Sequence, residues 1–141
     1  MPIRKIEFTE LERKISQTGK SHLDLLAPEA GTVYVVAITR DRCPACERQK
    51  PKMDVLAKSN AEKHGKRVVF VRIRVKYPAE KNESLRSKDV LGHYFYPTNL
   101  ILLRTKDRGV IEIYRNVSPR MSELKKSIET AVEIVKMLEK T

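Results

Sequence analysis

The chain of 141 residues contains no tryptophan, only two cysteines, only five glycines, and no apolar run longer than the six residues Val33 to Ile38. Each scarcity excludes something. A helix crossing a bilayer needs ~20 apolar residues, so no membrane span is expected. The two cysteines, Cys43 and Cys46, are such close neighbours that a bridge between them would staple almost no chain, which rules out a fold built on a disulfide framework. With no repeat, no low-complexity stretch and no Gly/Ser linker, a single domain over residues 1–141 is expected. The sequence Met1-Pro2-Ile3-Arg4-Lys5 is basic but has no apolar signal region behind it, so the expected location is the cytoplasm.

What the chain does have is 40% hydrophobic and 33% charged residues, enough for one core beneath a densely charged surface and incompatible with a disordered chain. Lys and Arg exceed Asp and Glu by 29 to 18, a net charge of +11, yet the cations are scattered and interleaved with acids. Together with few Asn and Gln, this balance is like that of proteins from hot environments. No Cys/His finger spacing and no aromatic RNA-binding sheet motif is present, so a nucleic-acid partner is not expected. An acidic protein partner is the other reading of the charge. A monomer is expected.

The spacing of apolar residues gives the elements. Ile3 and Ile6 mark a short first strand. Thr9 and Glu12 have capping-box spacing ahead of a helix from about Glu10 to Thr18, stopped by Gly19. Residues 20–31 read as a loop. Thr32 to Thr39 is apolar on both faces, as a central strand covered on both sides must be. A helix then carries Cys46, Met53, Leu56 and Ala57 on one face, with Pro51 expected to kink it, and ends near His64 before Gly65. Val68 to Val75 is a second strong strand, completing a right-handed parallel unit. Lys76 to Asn82 reads as loop and Glu83 to Leu91 as a short helix stopped by Gly92. Thr98 to Leu103 and Val110 to Tyr114 form a hairpin. Ser118 and Pro119 have the character of an N-cap and first-turn pair for a long last helix striped by Leu124, Ile128, Ala131, Val135 and Leu138. The expected class is α/β, a mixed central sheet with helices on both faces, in the order β-α-β-α-β-α-β-β-α.

Cys43-Pro44-Ala45-Cys46 falls where the central strand ends and a helix begins. The first helical N–H groups there have no internal partner, and the helix dipole adds partial positive charge, which favours a thiolate at Cys43. Arg40, Arg42, Arg48 and Lys50 are close in sequence and would add to that. Cys46 is within one turn, near enough to attack a mixed disulfide formed by Cys43 and release the partner.

At this point the sequence resembles the thioredoxin family over nearly the whole chain. Pro51 lies five residues after the second cysteine, where thioredoxins carry a helix proline, and Gly92 followed by Tyr96-Pro97-Thr98 looks like the family's Gly-x-x-x-x-Pro-Thr segment. The resemblance implies a thioredoxin-like fold and thiol-disulfide exchange with protein substrates and a redox partner, by Cys43 as attacking and Cys46 as resolving thiol. It implies no cofactor beyond the redox-active Cys43–Cys46 disulfide. Pro97 would be a cis-proline and the Tyr96 main chain a substrate-binding edge, with Arg42 and Pro44 on the same rim.

Three departures accompany the resemblance. Arg42 stands where thioredoxins have Trp, Ala37 where they bury an Asp, and Pro-Ala between the cysteines where they have Gly-Pro. Without the buried acid, the Cys46 proton must leave through water, Glu47 or Asp41. The intervening pair tunes redox potential, so the direction of exchange is open from sequence. Ala37 and Arg42 also leave a second reading, a protein-binding module of the same fold whose CxxC is structural. A metal site is not expected, because His22, His64 and His93 lack ligand spacing. Among the remaining candidates, Tyr94, Phe95 and Tyr96 are expected to divide between core and a substrate patch, His93 to lie in a loop near the active face, and Arg72 and Arg74 to be snorkelling surface residues.

Overall fold

Strand β2 (Thr32–Arg40) is the axis of the molecule, buried from Thr32 to Ile38 and hydrogen-bonded along both edges. A computed structural model describes residues 3–77 and 82–140. The remaining elements are β1 (Ile3–Glu7), α1 (Phe8–Thr18), α2 (His22–Leu26), α3 (Pro44–His64), a 3-10 turn (Gly65–Arg67), β3 (Val68–Val75), α4 (Glu83–Leu91), β4 (Thr98–Arg104), β5 (Val110–Val117) and α5 (Met121–Glu139). They build one five-stranded sheet in the order β1-β3-β2-β4-β5. The β1/β3 and β3/β2 pairs are parallel, and the β2/β4 and β4/β5 pairs antiparallel.

Alternation along β2 divides the core in two. Val33, Val35 and Ala37 face one way and join Phe70, Ile101 and Leu103 beneath Met53, Leu56 and Ala57 of α3 and Leu124, Ile128 and Val135 of α5. Tyr34, Val36 and Ile38 face the other and join Val71, Ile73, Leu100 and Leu102 beneath Phe8 and Leu11 of α1, Leu26 of α2 and Leu91 of α4. Helices therefore cover both faces of a mixed sheet.

Several local expectations are corrected. The Thr9/Glu12 capping box does not form: α1 starts at Phe8, which is itself buried, and Glu12 instead binds Arg86 of α4 at 2.8 and 3.0 Å. The stretch 20–31 contains a helix, α2, capped by Ser21, whose hydroxyl accepts the Asp24 N–H at 3.2 Å. The element order thus has one more short helix than the sequence reading. Ser118 is not a helix cap; α5 begins only at Met121, and the Ser118 N–H donates instead to the Pro97 carbonyl at 3.0 Å. β5 continues past Tyr114 to Val117. Of the expected loop Lys76 to Asn82, residues 78–81 lie outside the described residues.

Phe70 sits at the contact of β3 with the α3/α5 layer and is 2% exposed. Phe70→Ala is expected to lower unfolding free energy by about 3–5 kcal/mol in urea titration. Val55→Ala, at a 70% exposed position of the same helix layer, should stay within about 0.5 kcal/mol of the parent.

Candidate active site

Three residues connect β2 to α3, and each is held. The Asp41 N–H donates to the Val75 carbonyl at 3.0 Å, continuing the β2/β3 ladder by one bond. Its carboxylate takes a two-pronged contact from Arg74 (2.8 and 2.9 Å), and Arg74 also binds Glu7 at 2.7 Å. The Arg74 hydrogen bond holds the Asp41 carboxyl below its ordinary range. Arg42 turns the chain in the left-handed region (φ 56°), a conformation that costs a non-glycine residue roughly 1–2 kcal/mol. Cys43 then acts as the N-cap of α3, and Pro44 takes the first helical position, where its missing donor costs nothing.

The Cys43 Sγ accepts the Cys46 N–H at 3.2 Å, the bond a capping serine or aspartate would make. Cys43 and Cys46 are joined as a disulfide with their Cα atoms 5.2 Å apart. Both are largely enclosed, at 6% and 5% exposure. Across from them the Tyr96–Pro97 peptide bond is cis, and the Tyr96 carbonyl oxygen lies 3.7 Å from the Cys43 Sγ. The fold therefore brings together four of the residues singled out in sequence, Cys43, Cys46, Tyr96 and Pro97. Pro44 and Arg42 lie exposed on the rim beside them.

Tyr96 is fixed at its far end by a polar cluster that sequence reasoning did not anticipate. Its hydroxyl lies 2.7 Å from the Ser87 Oγ and 3.1 Å from the Ser84 Oγ, both on α4. Ser87 also meets the His93 Nε2 at 3.1 Å, and the His93 ring packs edge-on against Tyr96 with centroids 4.8 Å apart. His93 does lie in the loop between α4 and β4, as expected, with its side chain buried behind Tyr96. Its neighbours Tyr94 and Phe95 are 80% and 64% exposed, so the aromatic segment turns one ring inward and two outward. Tyr77 was also missed. Arg40 lies over its ring at 4.6 Å and over Tyr96 at 5.5 Å, and Arg42 reaches the Tyr77 ring at 5.9 Å. No sequence spacing links residues 77, 84, 87 and 96; Arg40 joins Tyr77 to Tyr96, and the packing of α4 over the sheet joins Tyr96 to the two serines.

On the opposite side, Cys46 borders a cleft of about 410 Å³ whose walls include Glu47, Lys50, Arg72 and Arg74. Ala37 is buried and pairs across the ladder with Arg72, so no carboxylate stands at that position. Asp41 reaches this cleft too, and its pairing with Arg74 makes it a weaker base than an ordinary carboxylate; Glu47 is the other acid named as a route for the Cys46 proton. Arg72 and Arg74 are not merely snorkelling side chains, since Arg72 binds Asp54 at 3.4 Å and Arg74 holds the turn. Among the described residues no group of three or more His, Cys, Asp and Glu side chains is placed to hold a metal ion.

Burial pushes the His93 pKa down from 6.5 to about 4, with Lys88 and Arg115 adding to the effect. A base whose folded pKa is depressed contributes stability in its neutral form, in full above the unfolded pKa and lost as pH falls towards the folded one. Urea midpoints should therefore drop between pH 6.5 and about 4. In His93→Phe that part of the acid sensitivity should vanish, whereas an unchanged pH profile would show that His93 is not buried neutral.

No protein-family model matches the chain, and no curated protein matches it in sequence. Solved structures do. Thioredoxin NaTrxh from Nicotiana alata is 23% identical, covers 93% of this chain and 95% of its own, and aligns with a TM-score of 0.60. The thioredoxin of Trichomonas vaginalis is 17% identical over 92% of this chain and 96% of its own, also at 0.60. That of Fasciola hepatica is 19% identical over 91% and 98%, at 0.56. Such identities speak to architecture. The chain has a thioredoxin-like fold, with a Cys43–Cys46 pair at the start of the helix that follows its central strand.

Proposed function

We propose that this protein is a thiol-disulfide oxidoreductase that exchanges disulfides with protein substrates through Cys43 and Cys46. The observation that carries the reading is the placement of the Cys43 Sγ: it caps α3, accepts the Cys46 N–H, and faces the Tyr96 carbonyl beside a cis-proline. The helix end and that N–H favour a thiolate on Cys43 once the pair is reduced.

In the reductive direction the Cys43 thiolate attacks one sulfur of a client disulfide, and the other client sulfur leaves as thiolate. Cys46, deprotonated through water or Glu47, then attacks the Cys43 Sγ. The second client thiolate leaves, the Cys43–Cys46 bond forms, and two electrons have passed to the client. Oxidation of a client dithiol is the same sequence reversed. No group outside the cystine is consumed. The Tyr96 backbone, with Pro44, Arg42 and Pro97 around it, would hold the client chain so that its sulfur lies in line with Cys43. The direction follows from the equilibrium reduction potential of the pair, in which 30 mV corresponds to about 1.4 kcal/mol.

Dithiothreitol-dependent reduction of insulin should proceed with the parent protein and fall to background in Cys43→Ser. Cys46→Ser should accumulate mixed disulfides with client proteins. The thiolate absorbance of Cys43 should appear below the midpoint of about 8.5 shown by an ordinary thiol. Parent activity equal to that of Cys43→Ser, together with an ordinary thiol midpoint, would sink the proposal and favour a binding module with a structural CxxC.

A further inference from the structure

The net charge of +11 is divided between cations that have partners and cations that do not. Arg67 pairs with Glu139, Arg72 with Asp54, Arg74 with Asp41 and Glu7, Arg86 with Glu12, Arg104 with Asp24 and Arg115 with Glu112. By contrast Arg48, Lys52 and Arg120 make no ion pair with any described residue, and all three line one groove. The groove, about 160 Å³, runs between the first turns of α3 and the β5–α5 junction, with Ala45, Pro119 and Met121 as its apolar contacts. It is lined by no Asp or Glu. Of the nearest acids, Glu47 faces the cleft on the other side of Cys46, and Glu123 accepts from the Asn116 amide at 3.3 and 3.4 Å.

The position of this groove ties it to the cystine. Ala45, between the two cysteines, forms one end; Arg48 and Lys52 follow it at i+3 and i+7 on the same helix face. The opposite wall includes Ser118, whose N–H holds the Pro97 carbonyl at 3.0 Å. From Ala45 to Lys52 the helix advances about 10 Å, which is roughly three residues of extended chain. A client lying along the Tyr96–Pro97 edge with its sulfur at Cys43 would lay the residues next to its cysteine across these cations.

We propose that this groove docks an acidic polypeptide segment, the Asp- or Glu-bearing residues flanking the client cysteine, through Arg48, Lys52 and Arg120. The proposal rests on the oxidoreductase reading for the identity of the client. Three unpaired cations facing no carboxylate make a site whose complement is anionic, and charges at such a rim select partners and speed encounter. A single-stranded nucleic acid would also need stacking platforms along the basic track, and no aromatic side chain lines this groove.

The test uses disulfide-linked peptide dimers that differ only in the three residues on each side of the cysteine: acidic, neutral or basic. With the full-length protein reduced beforehand, at low ionic strength, the second-order rate constant of stoichiometric exchange should be about tenfold or more greater on the acidic dimer than on the basic one. The rates should converge near 1 M salt, where the screening length is about 3 Å. The combined variant Arg48→Glu, Lys52→Glu, Arg120→Glu should reverse the order of preference, and Arg120→Gln should lose part of it. Lys125→Glu, an exposed cation elsewhere on α5, should leave it unchanged. Equal rates on acidic and basic dimers, with the neutral one exchanged, would overturn the groove and leave the oxidoreductase reading standing. Exchange of none of the dimers would overturn that reading instead. Fluorescence polarisation of a labelled acidic peptide then decides the groove separately: binding at least tenfold tighter than the basic peptide keeps it, and equal binding removes it. Single-stranded DNA of matching charge that binds as tightly as the acidic peptide would assign the groove to nucleic acid and also overturn the proposal.

Discussion

The sulfur of Cys43 can lie beside the Tyr96 carbonyl only because the chain leaves β2 in a fixed direction and reverses into α3 within three residues. β2 is buried on both faces and paired on both edges, so its end cannot shift without disturbing β3 and β4 together. That rigidity passes into the turn through separate contacts. The Asp41 N–H extends the β3 pairing, the Asp41 carboxylate is gripped by Arg74, and the left-handed Arg42 aims Cys43 at the head of α3. Gln49 one turn further on donates to the Asn99 side chain at 2.7 Å in the interior, which ties the same helix to β4, the strand that starts at the cis-proline. Both sides of the site are thus referenced to β2.

The other side of the site is braced through Tyr96. The ring spans from the sulfur to helix α4: its carbonyl is at the cystine and its hydroxyl is between Ser84 and Ser87. Each neutral hydrogen bond of this kind contributes on the order of 1 kcal/mol net, yet leaving one of these buried groups unpaired would cost about 1–3 kcal/mol. The cluster therefore specifies the tyrosine's position more than it adds to overall stability. With Tyr96 turned inward, the two preceding rings, Tyr94 and Phe95, are left exposed.

How much of this was legible in the sequence depended on whether a feature was decided locally. β2 and β3 were plain because strands covered on both sides must be apolar throughout, and α3 was bounded by a cysteine at its cap and Gly65 at its end. The CxxC was legible because its spacing carries the chemistry, and the Tyr96–Pro97 pair because its segment resembles the one thioredoxins carry. Capping patterns were less dependable. Thr9 and Glu12 had the spacing of a box, but Glu12 gains a charged partner in Arg86, 74 residues away, and a buried Phe8 starts the helix earlier. Ser118 was drawn from helix capping into holding Pro97. The serines behind Tyr96, the Arg74 grip on Asp41 and the shelf of Tyr77 under two arginines all join distant elements, and no local pattern announces such contacts.

The departures from the thioredoxin pattern have one electrostatic logic. Burial disfavours a charged thiolate, so a thiol exchanger with enclosed cysteines needs something to offset it. A buried carboxylate can do this by accepting a proton, but Ala37 provides none and Asp41 is paired with Arg74, which leaves Glu47 at the cleft wall. The cleft at Cys46 carries both signs, with Lys5, Arg40, Lys50, Arg72 and Arg74 against Glu7, Glu10, Asp41 and Glu47, a small cationic excess. Arg72 stands across the ladder from Ala37 and, with Lys50, borders the cleft at Cys46; Asp54 offsets Arg72 only at 3.4 Å. On the Cys43 side, Arg42 replaces an apolar ring with a charge, and the helix end adds its own partial positive charge. A base removes a proton from one thiol at one step, whereas a positive field favours the anion on either sulfur throughout the exchange. On the oxidoreductase reading proposed above, a client would meet the same rim, so one set of charges would bear on both the sulfurs and the approaching chain.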